Sequence, residues 1–273
     1  MRWPWVVVLG WIVLPAAAAQ LTLDLGAAPR RLDSAALLAR SEVREITIDA
    51  DVAYGRAMRY RALPLRVLLA GVDAHDHLQF VARDGFVAEI PAALVWNERG
   101  SRAWLAIEDV DAPWPPLPGK AASAGPFYLV WTHPQAARVG PERWPYQLAA
   151  IRRLPDVMLR FPALSPDPAL GRDDPVRHGL DVFVANCLSC HTLNGAGDAT
   201  LGPDLNVPYS PIEYLQADLL RTYLRDPQRL RRWPQARMPG FDAASLPEAD
   251  LDALLAYLRH MAARRRAASP PQP

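Results

Sequence analysis

The densest chemistry in the chain lies in Cys187-Leu188-Ser189-Cys190-His191. C-x-x-C-H is the attachment motif of c-type haem. Thiols three residues apart share one face of a helix, so each can add to one of the two haem vinyl groups. The histidine that follows can offer its imidazole to the iron, a ligand type that suits haem. These are the only two Cys among 273 residues, which excludes a disulfide-stapled framework. A thioredoxin-type redox pair belongs beside a βαβ pattern, whereas the flanks here read as helical. A zinc site needs further thiolates or histidines at ligand spacing, and no second C-x-x-C exists.

The elements that must hold this motif read as helices from Pro175 onward. Gly179 and Phe183 stand four apart on the helix before it. Leu251, Leu254, Leu255 and Leu258, with Tyr257 beside them, give helical spacing over Glu248–Ala263. Between lie Gly202-Pro203-Asp204-Leu205 and Arg237-Met238-Pro239-Gly240-Phe241. Of four Met beyond the first residue (Met58, Met158, Met238, Met261), Met238 sits in a Pro/Gly loop, a poor place for the core filling that Met usually does.

Residues of about 172–263 resemble a class I mono-haem cytochrome c domain. The resemblance implies an all-α fold and one covalently bound haem c, attached through Cys187 and Cys190. It also implies packing of the Gly179–Phe183 face against the last helix. His191 would be the proximal iron ligand, oriented by the Pro203 carbonyl, and Met238 the distal ligand. His/Met ligation favours ferrous iron and raises the potential. With both axial positions filled, outer-sphere electron transfer is expected rather than substrate activation.

Charge adds an expectation about partners. Lys+Arg total 30 and Asp+Glu 29, a net charge of +1, without the basic excess of a nucleic-acid binder. Yet Arg221–Arg237 carries six Arg (221, 225, 229, 231, 232, 237) against Asp226 alone. A basic run leading into the Met238 loop would steer an acidic redox protein. Arg264-Arg265-Arg266 closes the last helix, where cations complement the dipole.

Residues 1–19 have the layout of a cleaved signal peptide: Arg2, an apolar run over Trp3–Leu14, and Ala17-Ala18-Ala19. The expectation is export to a bacterial periplasm, with an uncleaved membrane anchor as the alternative; the run is short for a span. Residues 20–155 read as a β-rich α+β domain. Strands are expected over Glu42–Ala50, Met58–Arg61, Leu78–Ala82, Gly85–Ile90, Ala103–Ile107, Phe127–Trp131 and Tyr146–Ile151, with helices over Leu63–Ala70 and Pro91–Trp96. Ala112–Lys120 reads as a stiff Pro-rich loop. Residues 156–173 form a Pro-rich linker, extended and poor in core positions, residues 174–265 the haem-bearing domain, and 266–273 a disordered tail.

The stretches Leu63–Val72, Phe80–Pro91, Gly125–Trp131 and Arg143–Ile151 resemble, as a pattern over roughly 22–153, a trimmed sulfite-oxidase-type molybdopterin-binding domain. That family holds molybdenum through a cysteine thiolate, and both thiols of this chain belong to the haem motif. The fold is therefore expected without molybdenum or molybdopterin, with Arg83, Asp84 and His133 as candidates for a pocket wall. His75 and His77 form an H-x-H pair in a polar turn, which is two ligands short of a metal site. His178 and His260 read as helix-surface residues. Three functional readings follow. One is an exported electron carrier whose first domain docks it or binds a ligand. Another is an oxidoreductase with a cofactor or substrate in the first domain and a haem acceptor. The third is a ligand sensor with a haem reporter. The missing thiolate favours the first reading over an enzyme.

Overall fold

The computed structural model describes residues 19–97 and 100–265. The expected signal segment, apart from Ala19, and the expected tail lie outside the described residues. The first part is built of nine strands: β1 (Gln20–Asp24), β2 (Arg30–Asp33), β3 (Arg44–Ile48), β4 (Met58–Pro64), β5 (His77–Ala82), β6 (Val87–Pro91), β7 (Arg102–Ile107), β8 (Phe127–Thr132) and β9 (Leu148–Leu154). They form a five-stranded sheet in the order β2-β1-β9-β5-β6 and a four-stranded sheet in the order β3-β4-β7-β8. Only β1 and β9 run parallel within these ladders. Both sheets feed one hydrophobic core, from Leu21 to Ile151. Two short helices, α1 (Ser34–Leu38) and α2 (Ala92–Val95), complete this part.

Several elements depart from the sequence expectation, each for a visible reason. β1 and β2 are additional strands. Leu21 and Leu23 alternate into the core at 0% and 1% exposure, while β2, RRLD, is a charged edge strand with no apolar alternation to mark it. The expected helix over Leu63–Ala70 is one turn of 3-10 helix, Leu65–Leu68, because Leu63 and Pro64 are spent pairing with β7. β9 runs on through Arg152 and Arg153 to Leu154, whose backbones pair with β5.

The Pro-rich segment is not a loose linker. It folds into α3 (Val157–Arg160) and a 3-10 turn at Pro162–Leu164. Val157 and Leu164 are buried in the second core. The Tyr257 hydroxyl donates to the Leu164 carbonyl at 2.8 Å, Arg264 pairs with Asp167 at 2.9 Å, and His260 Nε2 accepts from the Asp167 amide at 3.0 Å. Pro ends helices early but does not prevent burial of the residues between.

The second part is helical: α4 (Pro175–Asn186), α5 (Pro211–Tyr214), α6 (Ala217–Arg225), α7 (Pro227–Leu230) and α8 (Glu248–Ala262). Asp174 caps α4 by accepting from the Val176 amide, with Pro175 at the first helical position. α4 and α8 cross at Gly179. A Cβ there would sit 2.0 Å from the Ala253 carbonyl oxygen and 2.6 Å from Tyr257 Cβ, so only glycine permits the approach. Phe183 and Tyr257 meet beside it with ring centroids 5.5 Å apart. This is the Gly–aromatic helix crossing expected from the sequence. Among the described residues no helix is long and apolar enough to cross a membrane.

Candidate functional site

The haem motif leaves α4 rather than lying within it. Asn186 is the last helical residue, and the amides of Cys187 and Leu188 both donate to the Phe183 carbonyl, at 2.8 and 3.0 Å. This loosens the final turn. Cys190 and His191 then donate to the Cys187 carbonyl at 3.1 and 2.9 Å. The motif is thus a hydrogen-bonded turn hung on a helix end that the Gly179 crossing fixes in place.

Cys187 and Cys190 form no disulfide. Burial, with Glu142 nearby as the second cause, raises Cys187 far above the ordinary thiol range and pushes Cys190 up to about 12. Burial thus disfavours both thiolates, the opposite of a thioredoxin-type pair, whose attacking thiol needs a depressed pKa. Among the described residues no group of three His, Cys, Asp or Glu could hold a metal ion.

His191 is oriented through one nitrogen only. Its Nδ1 lies 2.8 Å from the Pro203 carbonyl oxygen, which sets the tautomer and leaves Nε2 as the free, basic nitrogen. Burial lowers the imidazole pKa, against the opposing pull of Pro203 and Asp204, which favours the neutral ring that can ligate. Gly202 lies flat against it; a Cβ would stand 2.4 Å from Cε1. Asp204 ties the loop together and is the site residue whose role the sequence did not declare. Its Oδ1 accepts from the amides of Asn194, Asn206 and Val207, and its Oδ2 from Gly195 and the Thr192 hydroxyl. Met238 is half-buried and packs against the helical core. A haem fits this donor set: two thiols on one turn, an imidazole held by its far nitrogen, and a thioether on the loop between α7 and α8. Residues 20–155 hold no thiol, so the thiolate through which sulfite-oxidase-type domains hold molybdenum has no counterpart there.

The β-rich part grips the motif directly. The Val87 amide donates to the Ser189 carbonyl at 2.9 Å, and the Thr200 amide to the Gly85 carbonyl at 3.2 Å. A Cβ on Gly85 would meet Thr200 Oγ1 at 2.3 Å. Asp198 accepts from Gln79 and Arg160, both at 2.7 Å. Arg160 and Gln79 also donate to the buried Glu89, whose other oxygen lies 2.6 Å from His77 Nε2. Glu142, from the turn after β8, is buried against the motif. Burial pushes its carboxyl up to about 7, opposed only by Ser189, whose hydroxyl faces it without a well-formed hydrogen bond.

The remaining sequence candidates disperse. Arg83 and Asp84 are exposed on the β5–β6 turn, and Asp84 accepts from the Phe86 amide. His133 is exposed at the end of β8 with φ 52°. The three do not share a pocket wall. His75 stays exposed while His77 serves Glu89. His178 pairs with Asp250 at 2.7 Å. The run of six Arg splits: Arg221 pairs with Glu248 and Asp252, and Arg225 pairs with Glu248 and donates to three carbonyls. Arg229, Arg231, Arg232 and Arg237 remain exposed, Arg231 lying 5.7 Å from the centroid of the exposed Trp233 ring.

A comparison with curated proteins finds no match. Residues 176–262, the helical stretch that carries Cys187, Cys190 and His191, match the family model described as Cytochrome c.

Proposed function

We propose that the chain is an exported electron-transfer protein, with one haem c bound through Cys187 and Cys190 and ligated by His191 and Met238. The observation that carries this reading is the His191 Nδ1–Pro203 contact, which presents Nε2 beside two unpaired thiols. The haem supplies a one-electron ferric/ferrous couple when bound. The chain's own residues set its conditions. Pro203 keeps the imidazole in its ligating tautomer, Asp204 holds the loop that bears Pro203, and the half-buried Met238 lends a thioether that favours the reduced state. The β-rich part serves as a docking or ligand-binding module clamped onto the motif. Its likeness to a molybdopterin-binding domain is one of strand pattern. Arg229, Arg231, Arg232 and Arg237 around Trp233 offer an acidic partner a salt-sensitive landing surface.

A second reading, an oxidoreductase whose first domain delivers electrons, draws on the direct contact of β6 with Ser189. Iron and molybdenum per chain separate the two. One iron and no molybdenum supports the carrier; stoichiometric molybdenum overturns it. Met238→Ala is expected to lower the potential by on the order of 0.1 V or more, within the ~0.8 V range that axial ligands span, and to open the iron to cyanide or imidazole. An unchanged visible spectrum would refute Met238 as a ligand.

A further inference from the structure

The β5–β6 hairpin of the β-rich part meets the chain on both sides of His191. Before it, the Val87 amide donates to the Ser189 carbonyl at 2.9 Å. After it, the Gly85 carbonyl accepts from the Thr200 amide at 3.2 Å, and Gln79 donates to Asp198 at 2.7 Å. Gly85 has φ 95°, and a Cβ there would stand 2.3 Å from Thr200 Oγ1, so the turn approaches as closely as glycine allows. Asp198 and Thr200 both lie in the segment that leads from His191 to Pro203.

The hold on Asp198 has a rigid base. Arg160 Nη1 donates to Asp198 at 2.7 Å, and its Nη2 donates to Glu89 on β6 at 2.7 Å. The Glu89 side chain is 3% exposed. Gln79 also donates to it at 2.9 Å, and His77 Nε2 lies 2.6 Å away. A buried carboxylate with all its partners in place makes a stiff network. The other end of the loop is held differently. The bonds of Asp204 stay within the loop and make it one body, while Asn206 donates to the Met261 carbonyl on α8. Thus α8 holds the far end, the hairpin holds the near end, and Pro203 lies between them.

We propose that Gln79, Glu89 and Arg160, acting through Asp198, position the Pro203 carbonyl against His191 Nδ1 and so set the donor strength of the imidazole toward haem iron. They are positioning residues, since they act through Pro203. A firm Nδ1–H···O=C bond makes an imidazole a more basic ligand. A more basic ligand favours ferric iron, the reverse of what a thioether does. Loosening the loop should therefore raise the potential. Resting on the proposed ligation by His191, this gives the β-rich part a share in the redox centre itself.

Two measurements on the haem-loaded full chain decide. Proton NMR of the ferrous state reads the His191 Nδ1–H resonance and its exchange with heavy water. Redox titration reads the midpoint potential. Asp198→Ala removes a negative charge and Arg160→Gln a positive one, so a purely Coulombic effect moves the potential in opposite directions. Positioning moves it upward in both, with Nδ1–H exchange faster by about tenfold or more. Glu89→Gln combined with Arg160→Gln leaves the net charge unchanged and should do the same; it replaces Arg160→Gln if that variant does not fold. Tyr60→Phe takes a donor from Asp51, away from the hairpin, and should move neither readout. Opposite shifts overturn the proposal, as does wild-type exchange in Asp198→Ala and the double variant, or an equal change in Tyr60→Phe. A wild-type chain with no haem-shifted His191 resonance overturns the ligation and the proposal together; a resonance present but unmoved by the variants overturns the proposal alone.

Discussion

The buried acids of the β-rich scaffold and the polar groups around the haem motif are treated in opposite ways. In the β-rich part, Asp51 is 2% exposed, yet its oxygens accept from Tyr60, from the amides of Ala53 and Tyr54, and at longer range from Tyr128. Glu89 is likewise met by His77, Gln79 and Arg160. Around the haem motif the groups have few partners: two thiols, His191 Nε2, the Ser189 hydroxyl, and Glu142, which reaches in from the β-rich part to face that hydroxyl. Satisfied groups in a native fold are architecture. A cluster of unsatisfied ones is where something else belongs. The contrast separates scaffold from site without any appeal to what the site holds.

The largest effect should come from breaking the helix crossing that presents the site. Gly179→Ala places a methyl group in the Ala253 carbonyl, and a collision with backbone cannot be relieved by rotating a side chain. The cost should be about 3 kcal/mol or more, with loss of haem incorporation and exposure of the helical core in urea titrations. Gly171→Ala, where a Cβ meets nothing within 4 Å and φ is ordinary, is the matched control. It should change stability by less than about 0.5 kcal/mol.

On the scaffold side, Asp51→Ala strands the Tyr60 hydroxyl and two amides in a dry core. It should cost about 3 kcal/mol, with haem loading retained wherever the chain remains folded. Loss of the haem's native visible spectrum at a denaturant concentration where the β-rich part is still folded would contradict the division drawn above, because Asp51 would then be acting on the site.

The same division explains what could be read from the chain alone. The C-x-x-C-H motif and the α8 periodicity are local in sequence and legible from spacing, whereas the Gly179–Phe183 crossing and the Pro203 contact were legible only through the resemblance to cytochrome c domains. The β-rich part was legible where strands alternate or run apolar, as at β5 and β8. It was illegible at β2, whose exposed RRLD carries no pattern, and at Leu63–Ala70, where Leu63, Leu65, Leu68 and Leu69 are all buried and no period survives. Asp204 looked like any loop acid; its five hydrogen bonds come from residues up to twelve positions away. The Glu142–Ser189 and Gln79–Asp198 contacts join residues 47 and 119 apart, counted from their numbering, and no spacing rule reaches that far. The Pro-rich segment misled because proline content speaks of backbone and not of burial, and Val157 and Leu164 are core.

Glu142 offers the sharpest test of how tightly scaffold and site are joined. Its carboxyl titrates near 7 in the folded chain, against 4.5 for the free side chain, chiefly because burial disfavours its charge. A raised acid binds its proton more tightly when folded. Below about pH 4.5 both states are protonated and the group costs nothing. From there to about pH 7 the unfolded chain loses its proton first, so stability falls as pH rises. Above pH 7 the loss is constant. A displacement of this size corresponds to about 3 kcal/mol, so the folding free energy of the holoprotein should decline by up to that amount between pH 4.5 and 7. Glu142→Gln should flatten this part of the profile and stabilise the protein at pH 8. Urea midpoints across the pH range read both outcomes. If the wild-type profile is flat there, Glu142 is solvated in solution, and the β-rich part does not close over the motif as tightly as the buried carboxyl requires.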